Sequence, residues 1–268
     1  MLQFVKITAL AYAILLGSAV IFQKQYAFRN KVLTTSYSYH FKHQVPFEER
    51  WYDPDTTLHI NALYFKTDTT KRKGLVLYFH GNADNLARWG SYAPDFTRNG
   101  YDVLIIDYPQ FGKSTGPLTE ASLLLCANYV YQQALKTFPE NQVVVYGRSL
   151  GTGVATYVAS THHPKMLLLE TPYYNLPAIG QSHLPILPFE LFSKVKLHTD
   201  QWIRQVPCPL HLFHGTQDEI VPYEHSLRLA KRLGQPPSQL LTTIPHGKHK
   251  NLANFKAYHV ALDSCLAN

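Results

Sequence analysis

The run Val143-Val144-Val145-Tyr146-Gly147-Arg148-Ser149-Leu150-Gly151-Thr152-Gly153 joins an apolar β-branched stretch, a Gly-x-Ser-x-Gly turn and the start of a small-residue helix. The β-branched stretch suits a strand buried on both faces. The glycines allow a strand to turn sharply into a helix where side chains would collide. A serine at such a turn presents its Oγ at the carboxyl end of the strand, beside the positive end of the helix that follows. The same five-residue pattern recurs as Gly112-Lys113-Ser114-Thr115-Gly116, so the pattern alone does not identify a reactive serine. Ser114 follows Pro109 and precedes Gly116-Pro117, which stops any helix and leaves it in a loop. Gly112-Lys113-Ser114 also ends like a phosphate-binding loop, but Asp107 occupies the position that needs the first glycine.

Outward from Ser149, residues 58–65 alternate loosely and read as a strand. A polar stretch containing Lys71-Arg72-Lys73 reads as a hairpin loop leading into the apolar run 75–79. Comparable runs occupy 103–106, 166–169 and 210–213. Helical spacing covers 121–138, closed by Pro139, and 223–233, closed by Gly234. The expected class is therefore α/β: a mostly parallel sheet flanked by helices on both faces. A chain of 268 residues fits one such domain preceded by a short leader. Residues 1–24 read as anchor or signal, 25–57 as a connecting segment with the first sheet element, and 58–268 as the main domain. Residues 171–205, with Pro177, Pro185 and Pro188, read as a short lid inserted between strands.

A serine hydroxyl becomes nucleophilic when a histidine takes its proton, and a carboxylate must orient that histidine and stabilise its charge. In a sheet of this kind the acid and then the histidine follow the serine on loops at strand ends. Asp218 follows the 210–213 run and is the expected acid, with Glu219 and Glu170 as alternatives. His249 follows the apolar stretch 240–244 and is the expected base, with His246 as its rival, while His259 falls in a terminal helix. The expected oxyanion donors are the backbone N–H groups of Leu150 and, within His80-Gly81-Asn82-Ala83, of Asn82. His80 reads as a structural hydrogen-bonding residue.

Composition removes other classes. Net charge is +7, but the basic residues are scattered and no nucleic-acid-binding module accompanies them. Cys126, Cys208 and Cys265 are widely spaced and read as small buried hydrophobes. Among 14 histidines the pairs His40/His43, His162/His163, His211/His214 and His246/His249 invite a metal, but no third ligand can be named. No metal or other cofactor is expected. Residues 7–23 carry no charge and would span about 25 Å as a helix, the marks of a single-pass anchor. Gly17-Ser18-Ala19 offers secretion after signal cleavage as the alternative. Lys24, Arg29 and Lys31 after the span lean toward a cytoplasmic domain, but against Lys6 and the amino terminus the imbalance leaves the side open.

With these residues in hand the chain resembles the α/β-hydrolase superfamily, and within it a branch of N-terminally anchored serine hydrolases that includes protein depalmitoylases. The likeness is carried by Tyr78-Phe79-His80-Gly81-Asn82, Asp107-Tyr108 through Ser114, Tyr146 through Gly153, Glu170-Thr171-Pro172, His214 through Pro222 and Gly247 through Asn251. It covers roughly residues 58–266. The resemblance implies Ser149, Asp218 and His249 as triad and Asn82 and Leu150 as oxyanion donors. It departs at Pro109-Gln110, where relatives usually carry Arg-Gly, and at Lys248 and Lys250, which flank the histidine where small or amide residues are usual. The implied activity is hydrolysis of carboxylic esters or thioesters through an acyl-enzyme on Ser149. A peptidase with the same triad and a silent binding protein on the same scaffold are the alternatives. The expected partners are a small-molecule or acylated substrate and, through the leader, a membrane. In the lid, Leu176, Phe189 and Phe192 are the expected acyl-contacting residues. So short a lid implies short to medium acyl groups, unless its apolar residues rest on the sheet edge or the membrane.

Overall fold

The computed structural model describes residues 1–267, and its centre is one eight-stranded sheet. The strands are β1 (Phe47–Asp55), β2 (Leu58–Phe65), β3 (Gly74–Phe79), β4 (Tyr101–Ile106), β5 (Val143–Arg148), β6 (Met166–Glu170), β7 (Leu210–Gly215) and β8 (Leu241–Ile244). Their spatial order is β8-β7-β6-β5-β3-β4-β2-β1. Strands β3 to β8 are mutually parallel, and β2 runs antiparallel to both β1 and β4. Every residue of β3, β4 and β5 is buried, which explains their continuous apolar character.

The principal helices are α1 (Leu2–Ala27), α2 (Glu120–Leu135), α3 (Leu150–Thr161), α4 (Leu176–His183), α5 (Phe189–Phe192), α6 (Glu224–Arg232) and α7 (Lys256–Ala267). Helix α2 starts at a reciprocal cap: Ser122 N–H donates to Thr119 Oγ1, and Thr119 N–H donates to Ser122 Oγ. It ends at Leu135, short of the expected residue 138, because the N–H groups of Thr137 and Phe138 both turn back to Ala134 O. Two hydrophobic cores lie on opposite faces of the sheet. One gathers Leu123, Val130, Val154 and Val158 from α2 and α3, and the other gathers Trp89, Phe96 and, from α7, Tyr258 and Leu262.

One sequence expectation is corrected. Lys71-Arg72-Lys73 does not close a hairpin, because β2 and β3 are not neighbours; β4 lies between them. Residues 66–73 form a crossover containing a single tight turn at Thr69–Lys71. The reason is the two-sided burial of β3, which needs a hydrogen-bonded neighbour on each edge and finds them in β4 and β5. The hairpin of this region joins β1 to β2 instead, where Asp55 Oδ1 accepts the N–H groups of Thr57 and Leu58 at 2.7 and 3.0 Å.

Candidate active site

Strand β5 delivers Ser149 to the carboxyl end of the sheet. Ser149 holds φ +51° and ψ −118°, a conformation that non-glycine residues rarely take. Its N–H donates to Glu170 O at 2.9 Å on the neighbouring strand, and its carbonyl accepts Thr152 N–H at 2.8 Å at the start of α3. The turn tolerates no side chain at its two glycines. A Cβ on Gly147 would meet Gly151 O at 2.4 Å, and one on Gly151 would meet Phe79 O at 1.9 Å. The second contact brings the start of α3 against the end of β3, and so against the 80–83 loop.

Strands β7 and β8 supply the remaining groups. The loops that leave them touch: a Cβ on Gly215 would lie 2.2 Å from Gly247 O, and Gln217 N–H donates to Gly247 O at 2.9 Å. This pairing sets Asp218 beside His249. His249 Nδ1 lies 2.8 Å from Asp218 Oδ2, and His249 Nε2 lies 2.9 Å from Ser149 Oγ. All three residues are buried. The arrangement can pass a proton from hydroxyl to imidazole while a carboxylate holds the ring in the required tautomer.

Asp218 is supported further. Its Oδ1 accepts the N–H groups of Ile220 and Val221 at 2.9 and 2.8 Å. Burial alone would raise its pKa, but the imidazoles of His214 and His249 outweigh that and hold the carboxyl far below the ordinary range. His214 Nε2 sits 3.2 Å from Asp218 Oδ2 and also reaches Val221 O, while Nδ1 meets Ser226 Oγ at 2.6 Å. Sequence reasoning placed His214 in a histidine pair and in a stretch that carries the family likeness, but gave it no role of its own. The signal was its place four residues before the acid, at the end of the same strand.

The competing residues stand apart. Glu170 lies 3.1 Å from Arg148 Nε, pairs across β5 and β6, and accepts the Tyr146 and Tyr258 hydroxyls. Burial would lower the pKa of Arg148, but that carboxylate holds it up. Glu219 is exposed and, among the described residues, meets only the His249 backbone N–H, at 3.5 Å. His246 is exposed and bonds to Gln217, and His259 bonds to Ala253 O and Arg98.

Around the loop after β3, His80 Nε2 lies 3.0 Å from Asp107 Oδ1 and its ring stacks on Trp89. Asn82 is held from outside the sheet: its carbonyl accepts Arg29 N–H at 2.7 Å and its Nδ2 donates to Ala27 O at 3.0 Å. Among the described residues neither the Asn82 nor the Leu150 backbone N–H has a protein acceptor. Ser114, in contrast, is consumed by structure: its Oγ accepts Asn61 N–H at 2.9 Å and donates to Asp107 O at 3.1 Å. Lys113 is buried against Glu49 and the Tyr39 ring. At the departure from the family pattern, Gln110 adopts φ +67°, the backbone region in which glycine is at ease. Lys248 and Lys250 are exposed.

In the lid, Leu176 packs on the core of α2 and α3. Phe189 and Phe192 face each other at 5.1 Å, and Phe189 covers Gly180. A cleft of about 290 Å³ lined by Asn175, Gln181, Ser182, Glu190 and Arg228 lies against the lid and does not include the Ser149 group.

The family model for the alpha/beta hydrolase fold matches residues 74–172, the span that holds β3, the 80–83 loop, Ser149 and α3. The chain shares the α/β-hydrolase fold. The chain is 26% identical over 191 residues to lysophosphatidylserine lipase ABHD12 of Macaca fascicularis, covering 63% of this chain and 48% of that protein. The chain thus spans about half the length of the curated relatives it matches. Among solved structures it is similar to the esterase Pf2001 of Pyrococcus furiosus, with TM-score 0.67 and 17% identity over 89% of this chain and 96% of that one. It is also similar to Est1E of Butyrivibrio proteoclasticus, with TM-score 0.65 and 20% identity over 81% and 97%. At those identities the two structures speak for the fold.

Proposed function

We propose that the protein is a serine hydrolase of carboxylic esters, anchored to a membrane by α1, with Ser149 as nucleophile, His249 as general base and Asp218 as orienting acid. The observation that carries this reading is the unbroken chain from Ser149 Oγ through His249 to Asp218, built on a strained turn between strand and helix. In the first half-reaction Ser149 Oγ attacks the acyl carbonyl while His249 Nε2 takes its proton. The oxyanion is received by the N–H groups of Leu150 and Asn82. The alcohol or thiol leaves with the proton returned by His249, and water activated by the same imidazole then releases the acid. Leu176, Phe189 and Phe192 form the proposed wall for the acyl chain. The name of the lipase relative favours an acylated lipid as substrate, within the same chemistry that a depalmitoylase uses on a thioester.

Helix α1 fits the anchor role, since residues Gln3–Gln25 are long and apolar enough to cross a bilayer and none of that span is buried in the protein. We assign residues 1–24 to the anchor and 171–205 to the lid. The test is labelling by a fluorophosphonate probe together with a panel of acyl esters of rising chain length. Wild type should be labelled and Ser149→Ala should not. Equal labelling of the two would remove Ser149 as nucleophile, and labelling without ester turnover would return the peptidase reading.

A further inference from the structure

The tip of the lid has a feature that a water-exposed loop does not need. Six consecutive carbonyls, of residues 184–189, each accept a hydrogen bond from the protein itself. Leu184 O takes Leu187 N–H, Leu187 O takes Phe189 N–H, Pro188 O takes Leu191 N–H and Phe189 O takes Ser193 N–H, at 2.9 to 3.1 Å. Pro185 O takes the Gln181 amide, and Ile186 O takes the Tyr12 hydroxyl at 3.2 Å. On the donor side Pro185 and Pro188 have no N–H, and Leu184 N–H reaches Gly180 O at 2.8 Å.

The side chains follow the same division. Leu184, Ile186 and Leu191 are exposed at 42%, 62% and 83%. The polar side chains nearby are turned onto protein partners: His183 to Ile220 O, Ser182 to Ala178 O and His225, and Glu190 to Lys196. In water an exposed carbonyl is satisfied by solvent, whereas in hydrocarbon an unmet one costs several kcal/mol. A loop whose carbonyls 184–189 are all met by protein donors, and whose exposed charge at Glu190 is paired with Lys196 while Leu184, Ile186 and Leu191 stay exposed, suits the second environment.

Two hydrogen bonds tie this tip to α1. Besides Tyr12 to Ile186 O, Gln23 Oε1 accepts Lys194 N–H at 2.8 Å. The lid therefore runs beside α1 for about 16 Å, from Gln23 toward the amino terminus. The shared stretch begins at the Gln23 contact to Lys194, with Lys24 next along α1, so two lysines mark the end that suits anionic headgroups.

We propose that the lid tip, residues 184–192, enters the bilayer beside α1, so that the enzyme meets its acyl ester from the membrane side. This rests on the reading of α1 as a membrane helix and of Ser149 as an ester-cleaving nucleophile. The occupant of the apolar face is the lipid bilayer.

The experiment uses the full chain in phosphatidylcholine nanodiscs, with and without bromine on the lipid acyl chains. Single Ile186→Trp and Leu191→Trp variants are compared with Lys71→Trp, which lies at the opposite end of the strands. After subtraction of the wild-type emission of Trp51, Trp89 and Trp202, the two lid tryptophans should emit to the blue of the control and lose about half their emission to brominated lipid, as side chains among the acyl chains should. Quenching no greater than that of Lys71→Trp would overturn the proposal. A blue shift without bromine quenching would also overturn it, because protein, either this domain or a second copy, would then be the cover. Fluorophosphonate labelling of the same nanodiscs reads the nucleophile alone, so failure of the ester-hydrolase reading is seen separately. Leu191→Asp should lower turnover of an ester embedded in the bilayer about tenfold and leave a short soluble ester unaffected; equal loss on both would count against membrane entry.

Discussion

The backbone at Ser149 permits a test in which glycine and alanine exchange their usual order. At an ordinary site glycine is less stable than alanine by about 0.5–1 kcal/mol, because the unfolded glycine has more freedom to lose. Ser149 holds φ +51° and ψ −118°, and a non-glycine residue in such a region carries strain of about 1–3 kcal/mol. Ser149→Ala keeps that strain and loses the hydrogen bond to His249, whereas Ser149→Gly loses the bond and sheds the strain. The difference leaves Ser149→Gly at least as stable as Ser149→Ala, by roughly 0–2.5 kcal/mol after the entropic term is subtracted. For a domain of this size that is a gap of up to about 10 °C in melting temperature. The assay is thermal unfolding of the two variants and wild type in one detergent, followed in parallel by ester turnover, which both substitutions should reduce by about 10⁴-fold or more. If Ser149→Gly melts below Ser149→Ala, the turn is not strained and the stated origin of the Oγ's position is wrong. If either variant keeps ester turnover near that of wild type, Ser149 is not the nucleophile.

The second serine should behave in the opposite sense: Ser114→Ala strands the buried Asn61 N–H and Asp107 O, and should cost about 1–3 kcal/mol in urea unfolding while kcat stays within about twofold of wild type. Gln110→Gly should stabilise by roughly 0.5–1 kcal/mol, since it removes a side chain from φ +67°; a melting temperature below wild type would show that the Gln110 side chain matters more than its backbone. Acid should weaken the fold in two stages. Burial lowers His225 to about 4, and its Nδ1 must stay unprotonated to accept Tyr174 N–H. The unfolded chain takes up a proton below about 6.5 and the folded one does not until about 4, so stability is full above 6.5 and falls between those values. Asp218, held low by His214 and His249, adds a further loss as pH drops below its ordinary value of 3.8. Unfolding followed from about pH 7.5 to about pH 4.5 should show the first stage, and His225→Gln should flatten it; an unchanged slope would assign the loss to other histidines.

What could be read from the sequence divides along physical lines. The Ser149 turn was legible because three independent local signals coincide there: a two-sided buried strand, glycines where the backbone has no room, and a small-residue helix. Asp218 and His249 were legible only through chain order, since nothing local distinguishes them from Glu219 and His246. Strand order was not legible. The swap of β3 and β4 depends on which apolar runs pair, and all of them are apolar enough to be interior. Strand β1 escaped a definite assignment for the opposite reason: Phe47-Glu48-Glu49-Arg50-Trp51 is an edge strand defended by charge, and its period is hidden by residues that face water on both sides. His214 was missed because its function is to hold Asp218, a relation that appears only when the loop after β7 folds back on its own strand.

The attachment of α1 bears on where the catalytic unit begins. The segment that leaves the helix pairs with the loop after β3: Arg29 and Asn30 align in parallel with Ala83 and Asp84, Lys31 forms an ion pair with Asp84, and Asn82 is gripped through both its carbonyl and its amide. Asn82 is the residue whose N–H we propose as an oxyanion donor, and a donor is useful only if its direction is fixed before charge develops. Two of the bonds that fix it come from Ala27 and Arg29. A catalytic unit drawn from residue 58 would leave Asn82 with neither partner, whereas one drawn from about residue 25 keeps both and forfeits the Tyr12 and Gln23 hydrogen bonds to the lid. We therefore propose a working boundary within the last turn of α1, where one short segment would be both the exit from the proposed anchor and the outer support of the proposed oxyanion loop.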